Sequence, residues 1–313
     1  MIPKQLPLQG LEHKRLSVGD DLTIFRRMSD SQRGSAWQRN PDPDEFPSAD
    51  NRGNGPDVII HTLGRFSILF KGRPLDFGRK APQRPLALLK VLIALGGRGV
   101  SVSTLTSLLW PDVEGDTAKR SFDTTLFRLR KLFRGEPVLA LRDGKVSLDS
   151  HYCWVDIWAF ERLLGQSQRI RSKDPTGKDA WHLDRLMERI LGLYHDHFLV
   201  QEDMTFWSVS LRERLRNKFI YNLLDVGYYW ESQGFWKKAM LCYQKGLEVD
   251  DLVEVFYQRL MICCLETNRI SEGMSVYRRC RQMLSVVLGL QPEPKTDSIY
   301  LSLRNARLQK QLA

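Results

Sequence analysis

Asp116 to Arg134 reads DTAKRSFDTTLFRLRKLFR, and the reading of this stretch decides the fold. At 3.6 residues per turn, Ala118, Phe122, Leu126, Leu129 and Phe133 fall on one face. The opposite face carries Arg120, Thr124, Phe127, Arg128, Lys131 and Arg134. Gly115-Asp116 supplies an N-cap, because an Asp side chain accepts from the free N–H groups of a first turn. The stretch therefore predicts a helix with an apolar seam to dock it and a basic face left over. An ordinary surface helix with solvated charges would show the same pattern, so the residues just beyond Arg134 decide between the two. Val138 to Leu148, VLALRDGKVSL, sets two short apolar runs around Asp143-Gly144, a strong signal for a tight hairpin. A basic helix succeeded at once by a hairpin with Arg142 and Lys145 at its tip is the pattern of a winged helix, and it implies a DNA-binding element.

Charge is distributed as that reading requires. The 313-residue chain carries a formal net charge of +10. Residues 1–56 hold eight basic and eight acidic side chains, residues 57–151 sixteen and nine, and residues 152–313 twenty-three and twenty. The excess of +7 thus sits with the hairpin and the basic helix, where the footprint of a polyanion belongs. Five cysteines in a chain of this length make no disulfide framework. Cys242, Cys263, Cys264 and Cys280 lie in amphipathic helical sequence and read as reduced core residues of a cytoplasmic protein. Leu86 to Leu95 is the longest apolar run; it is short and broken by Lys90, so no membrane span and no membrane partner is expected.

Working outward, residues 1–56 mix Asp, Arg, Ser, Pro and Asn with few apolar residues and read as a disordered arm. VIIHTL, FSILF and RPLDF, the last two joined at Lys71-Gly72, predict a small antiparallel sheet. Pro82 to Leu95 is helical, with Leu86, Leu89, Val91, Leu92 and Leu95 buried and Gly96-Gly97 closing it. Ser101 or Ser103 caps a second helix that runs to Trp110 and stops at Pro111. Trp110 reads as a core residue beneath the helix junction rather than a stacking platform. Beyond residue 151 the sequence is helical almost throughout. Tyr152 to Leu164 opens that half, and a polar stretch at 165–180 interrupts it. A self-similarity with a period of 34 residues comes next, matching Gly234 with Asn268, Ala239 with Gly273, Met240 with Met274 and Tyr243 with Tyr277. On the tetratricopeptide pattern, Leu223, Val226, Gly227, Trp230, Ala239, Tyr243 and Gly246 occupy the signature positions. The second repeat departs from it, with Met261 where Gly is usual and Cys264 where an aromatic is usual. Ile299, Leu301 and Leu303, in a helix after Pro292 and Pro294, are expected to cover the open end.

The fold class is accordingly mainly α with a small β component: a winged helix-turn-helix domain over 57–151, then an all-α tetratricopeptide-like domain over 152–313. Two sets of residues carry a family resemblance. LGRFSILFKGRPLDFGRKAPQRPLALLKVLIALGGRGVS with LLWPDVEGDTAKRSFDTTLFRLRKLF resembles the OmpR-like winged helix of the SARP-type transcriptional regulators. YCWVDIWAFERLL, LYHDHFLVQEDMTFWSVSLRERLR and YRRCRQMLSVVLGLQPEPKT resemble the bacterial transcriptional activator domain that comes after it in that family. The resemblance implies that the third helix enters the major groove, that the hairpin reaches a flanking groove or backbone, that copies bind directly repeated half-sites, and that RNA polymerase is recruited.

The DNA-facing residues expected are Lys119, Arg120, Thr124, Phe127, Arg128, Lys131 and Arg134 on the helix, with Arg142 and Lys145 in the wing. Arg128, mid-helix, presents a planar fork that bridges guanine O6 and N7. Lys131 and Arg134 are placed to neutralise phosphates, and Thr124 to bond a phosphate or pack on a thymine methyl. Phe127 touches either a thymine methyl or the wing. Lys119 and Arg130 lie toward the flank, where they either reach a phosphate or screen the core.

Catalytic patterns fail. No phosphate-binding Gly-x-x-x-x-Gly-Lys-Ser/Thr run exists. His195-x-His197 and Cys263-Cys264 lack zinc-ligand companions at usable spacing, so no enzyme, metal or cofactor is expected. Two other readings compete: a tetratricopeptide adaptor that uses its winged helix for protein contacts, and the output end of a larger signalling ATPase. No heptad seam would impose a two-fold dimer. With only Asp149-Ser150-His151 between wing and solenoid, the halves should be held in a restricted orientation. That favours head-to-tail contact between copies, and removing residues 152–313 should leave half-site binding largely intact.

Overall fold

The computed structural model describes residues 56–77, 81–173, 180–202 and 205–312. The expected arm, apart from Pro56, lies outside the described residues. The chain opens with β1 (Val58–His61), β2 (Ser67–Phe70) and β3 (Arg73–Pro74) as an antiparallel meander. Lys71 and Gly72, both at positive φ (49° and 76°), turn β2 into β3. Three helices come next: α1 (Gln83–Ala94), α2 (Val102–Leu109) and α3 (Gly115–Leu132). β4 (Val100–Ser101) precedes α2, and the hairpin β5 (Leu139–Arg142) and β6 (Lys145–Leu148) succeeds α3. β4 joins that hairpin to make a three-stranded sheet in the order β4-β6-β5.

Local chemistry explains the helix ends. Gly96 and Gly97 take φ of 94° and 70° after α1, and Gly97 N–H donates to Leu92 O at 2.8 Å, closing the helix as expected. Ser101, not Ser103, caps α2: its Oγ accepts from Thr104 N at 3.0 Å. Asp116 does not cap α3. That helix begins one residue before it, with Glu114 at the N-cap position and Asp116 inside the first turn, where its charge still favours the helix dipole. Trp110 is half-buried against the core with the Arg84 guanidinium 6.0 Å from its ring, and Leu95, expected inside, is 38% exposed.

The second half departs from expectation at its start. Cys153–Val155 is not helical: it forms β7, a strand parallel to β1 that completes a sheet in the order β3-β2-β1-β7. The sheet of the first region therefore runs across the boundary at residue 151. Helix α4 (Asp156–Lys173) starts at the carboxylate beside β7 and continues straight through the first part of the polar stretch. Gln166, Gln168, Arg169, Arg171 and Lys173 are good helix formers. Ser167 is buried on the inward face, and Arg171 reaches Asn222 Oδ1 and Asp225 Oδ2, each at 3.1 Å.

α5 (Ala180–Leu193) and the 27-residue α6 (Phe206–Ser232) lead into α7 (Trp236–Val249), α8 (Glu254–Glu266) and α9 (Ile270–Met283). A π-helical turn at Leu284–Leu288 then leads to α10 (Pro294–Leu312). The 34-residue register is visible in the backbone. Gly234 and Asn268 take φ of 73° and 59°, and the next N–H groups repeat one bond, Phe235 to Trp230 O at 2.8 Å and Arg269 to Cys264 O at 2.7 Å. Small residues sit where helices touch: a Cβ on Gly227 would lie 2.3 Å from the Tyr243 ring, and one on Gly246 2.2 Å from Phe256. Leu303 of α10 is fully buried with Met261 and Ile270, and Ile299 packs on the same cluster. Leu301 lies off that i, i+4 stripe and is 47% exposed, so only two of the three expected capping residues cover the stack.

The halves share one continuous hydrophobic core. Asp156, at the head of α4, is buried and accepts from Thr62 N and Thr62 Oγ1, both at 2.5 Å, and from Leu63 N at 2.7 Å. Burial raises its carboxyl above the ordinary value, and these donors oppose the rise. Gly64 N–H donates to His197 O at 3.0 Å and Leu199 N–H to Thr62 O at 2.8 Å, while Lys90 pairs with Glu202 at 2.5 Å. Gly97 lies flat against Trp158, where a Cβ would come within 2.4 Å of the indole. Among the described residues no helix is long and apolar enough to cross a membrane.

Candidate nucleic-acid interface

Helix α3 is seated by its apolar seam. Ala118, Phe122, Leu126, Leu129 and Phe133 are all at most 4% exposed, so their burial fixes the rotation of the helix about its own axis. The remaining surface is thereby turned outward. Lys119, Arg120, Thr124, Arg128 and Lys131 are exposed, and Phe127 is 58% exposed with the Lys131 ammonium 4.6 Å from its ring centroid. Phe127 is thus not packed under the wing. Arg130 is drawn aside: its Nη2 donates to Leu139 O on β5 at 3.3 Å, tying α3 to the hairpin.

Arg134 does not share that face. α3 ends at Leu132, Phe133 serves as its C-cap, and Arg134 takes φ of 52° in the turn completed by Gly135. Its guanidinium lies 5.4 Å from the Phe70 ring of β2, which also carries the Lys71 ammonium at 5.4 Å. Helical spacing cannot be extended past a left-handed residue, and that is why the sequence pattern misplaced it.

The hairpin forms as its sequence requires. Asp143 and Gly144 take φ of 48° and 68°, the two positive values of a type I′ turn, and Arg142 pairs directly opposite Lys145. Two cations facing each other across a ladder repel, and a polyanion relieves that repulsion. The tip is contiguous with α2, a placement that spacing alone did not reveal. Val102 N–H donates to Gly144 O at 2.8 Å, and Ser101 pairs with Lys145 in the β4–β6 register. Ser101, whose Oγ lies 2.9 Å from Ser103 Oγ and 2.7 Å from Thr104 Oγ1, thus brings the start of α2 to the wing. A second omission is Asp123, exposed on α3 one turn before Phe127. A carboxylate there can accept from a cytosine N4 amino group, and attention to cations alone passes over it.

Burial pushes the Cys263 thiol up to about 12 and Cys264 to about 11, so neither offers a thiolate near neutral pH. His197 Nδ1 is 3.2 Å from Tyr194 Oη. No group of three or more His, Cys, Asp or Glu side chains able to hold a metal is found among the described residues.

Comparison with known proteins bears on both halves. Residues 155–304 match the family described as the bacterial transcriptional activator domain. The chain is 23% identical over 282 residues to the Regulatory protein AfsR of Streptomyces griseus, an alignment spanning 84% of this chain and 28% of that relative's length. Among solved structures, Mycobacterium tuberculosis EmbR in complex with a low affinity phosphopeptide shares the fold. Its TM-score is 0.61 at 19% sequence identity, over 80% of this chain and 65% of that one.

Proposed function

We infer that this chain, a SARP-type transcriptional regulator, is a sequence-specific DNA-binding activator. It binds promoter DNA through α3 and the β5–β6 wing and recruits RNA polymerase to the promoter in the bacterial cytoplasm. The observation that carries this reading is the outward cationic face of α3, turned away from a buried seam, together with the Arg142–Lys145 pair at the tip of the hairpin that Arg130 ties to α3. Arg120, Thr124 and Arg128 face the base edges, and Lys119, Lys131, Arg142 and Lys145 neutralise phosphate. Double-stranded DNA is the ligand, and no cofactor or metal takes part. The shared core and the sheet that crosses residue 151 support a fixed orientation of the helical half relative to the wing. That rigidity suits a head-to-tail contact between copies on directly repeated half-sites. The chain spans only 28% of the length of the AfsR relative, so service as the output module of a larger polypeptide is compatible with the same DNA chemistry.

The full chain is expected to bind duplex DNA without nucleotide or metal. With about six phosphates neutralised, log affinity falls with log salt at a slope of roughly −5. Salt-independent binding, or none, would favour the adaptor reading. A second expectation separates base reading from backbone positioning. Arg128→Ala weakens operator binding by about 1–3 kcal/mol and flattens discrimination against random duplex. Lys131→Ala weakens both by similar factors and lowers the salt slope by about one. Titrations of operator and random duplex at several salt concentrations check both, and loss of discrimination in Lys131→Ala alone would mean that α3 is rotated in the groove.

A further inference from the structure

We propose that Phe127 is a specificity residue that reads the C5 methyl group of a thymine, with Lys131 holding the adjoining phosphate. The proposal rests on the DNA-binding function and deepens it. An isolated exposed aromatic is ordinary on a protein surface; the position of this one is not. The apolar seam of α3 is complete without it, from Ala118 to Phe133, and every one of those side chains is at most 4% exposed. Phe127 instead stands 58% exposed on the opposite side. At 3.6 residues per turn, Arg120, Thr124, Phe127 and Lys131 fall within about 60° of helix surface. A ring in the middle of the cationic strip enters any groove that the strip enters.

The ring is also held in place. The Lys131 ammonium lies 4.6 Å from its centroid, an attraction between a cation and the negative face of the ring. This leaves the other face and the edge free for an apolar partner and fixes a positive charge beside it. Of the groups displayed in the major groove, the thymine methyl is the apolar one; the rest are hydrogen-bond donors and acceptors that an aromatic ring cannot satisfy. A methyl with a phosphate beside it is therefore the ligand that this ring and ammonium fit together.

The test uses the full chain and a duplex selected by it from a random pool. Each thymidine is replaced in turn by deoxyuridine, which removes the methyl and leaves every hydrogen-bonding group unchanged. At one position on the reading strand, wild-type affinity is expected to fall about fourfold, the worth of one buried methyl-sized group. Phe127→Ala should lose a comparable factor on the thymidine duplex and be indifferent to deoxyuridine there, while Phe127→Leu recovers part of the loss. Wild-type protein insensitive to every substitution, or Phe127→Ala keeping the same sensitivity, would overturn the assignment while leaving DNA binding intact. Unchanged DNA affinity in Phe127→Ala would do the same and mark the ring as a protein contact. Failure of the wild-type chain to select or bind any duplex would overturn the DNA-binding function itself.

Discussion

Asp156→Ala is expected to lower the unfolding free energy by about 2–5 kcal/mol, the effect of leaving several buried hydrogen-bond donors without an acceptor. The carboxylate accepts from Thr62 N, Thr62 Oγ1 and Leu63 N, and from Ile157 N at 2.8 Å. Alanine leaves three donors of the β1–β2 connection without partners in a site closed to water. Each unsatisfied group of this kind costs about 1–3 kcal/mol, partly relieved by relaxation. Asp156→Asn also fails to restore the site, because its amide group turns a donor toward a donor. On the proposed head-to-tail binding, releasing the head of α4 should loosen the joint between the two halves, and binding to two half-sites should then weaken more than binding to one. Urea denaturation gives the stability, and titration of single and paired half-sites gives the coupling. An unchanged urea midpoint would show that the Asp156 bonds make no net contribution.

Gly227→Ala should be strongly damaging, as should Gly246→Ala, whose new Cβ would fall 2.2 Å from Phe256. The Cβ added at Gly227 would fall 2.3 Å from Tyr243, a side chain with no exposed surface whose hydroxyl donates to Glu231 Oε1 at 2.7 Å. Neither helix can move without disturbing the other, since Glu231 also pairs with Arg259 of α8. A loss of about 2–3 kcal/mol is expected from overpacking. The sign should reverse when the ring is removed. In a Tyr243→Ala background, Gly227→Ala gains up to about 1 kcal/mol, the helix-propensity advantage of alanine over glycine. Denaturant midpoints of the four proteins decide this, and additive effects would mean that the close approach is relieved elsewhere.

Most of the fold was legible because its signals are local. The Asp143-Gly144 turn, the seam of α3 and the recurrence of Gly234 at Asn268 each depend on neighbours within a few residues or one repeat. The features that escaped the sequence depend on contacts between distant segments. Cys153-Trp154-Val155 is too short to declare a strand, and its partner β1 lies far back in the chain. Nothing local to Asp156 announces its burial, which Thr62 and Leu63 from a distant segment bring about. The polar stretch after Leu164 interrupts the helical pattern by polarity alone, yet its first residues are helix formers and one of them, Arg171, is held by α6. In the candidate site, periodicity placed Arg120, Thr124 and Arg128 on the exposed face of α3, where the structure has them. Arg134 was misplaced by extending that period beyond a left-handed turn, and Asp123 was passed over because its sign is wrong for phosphate.

The parallel pairing of β7 with β1 also sets the order in which the protein can be made. Thr62 and Asp156 are 94 residues apart in sequence, so the sheet closes only by joining one of the longest spans in the N-terminal half. Contacts between distant segments form late, because the entropy of closing the intervening loop must be met first. On the ribosome, α1, α2, α3 and the hairpin therefore emerge while β1 still has an open edge, and they gain a finished scaffold only when the first residues of the helical half arrive. A chain whose synthesis stops at the end of the wing carries the cationic helix on an incomplete sheet, with an unpaired strand edge open to aggregation. The finished N-terminal sheet and the start of the helical half are thus acquired in the same step of synthesis.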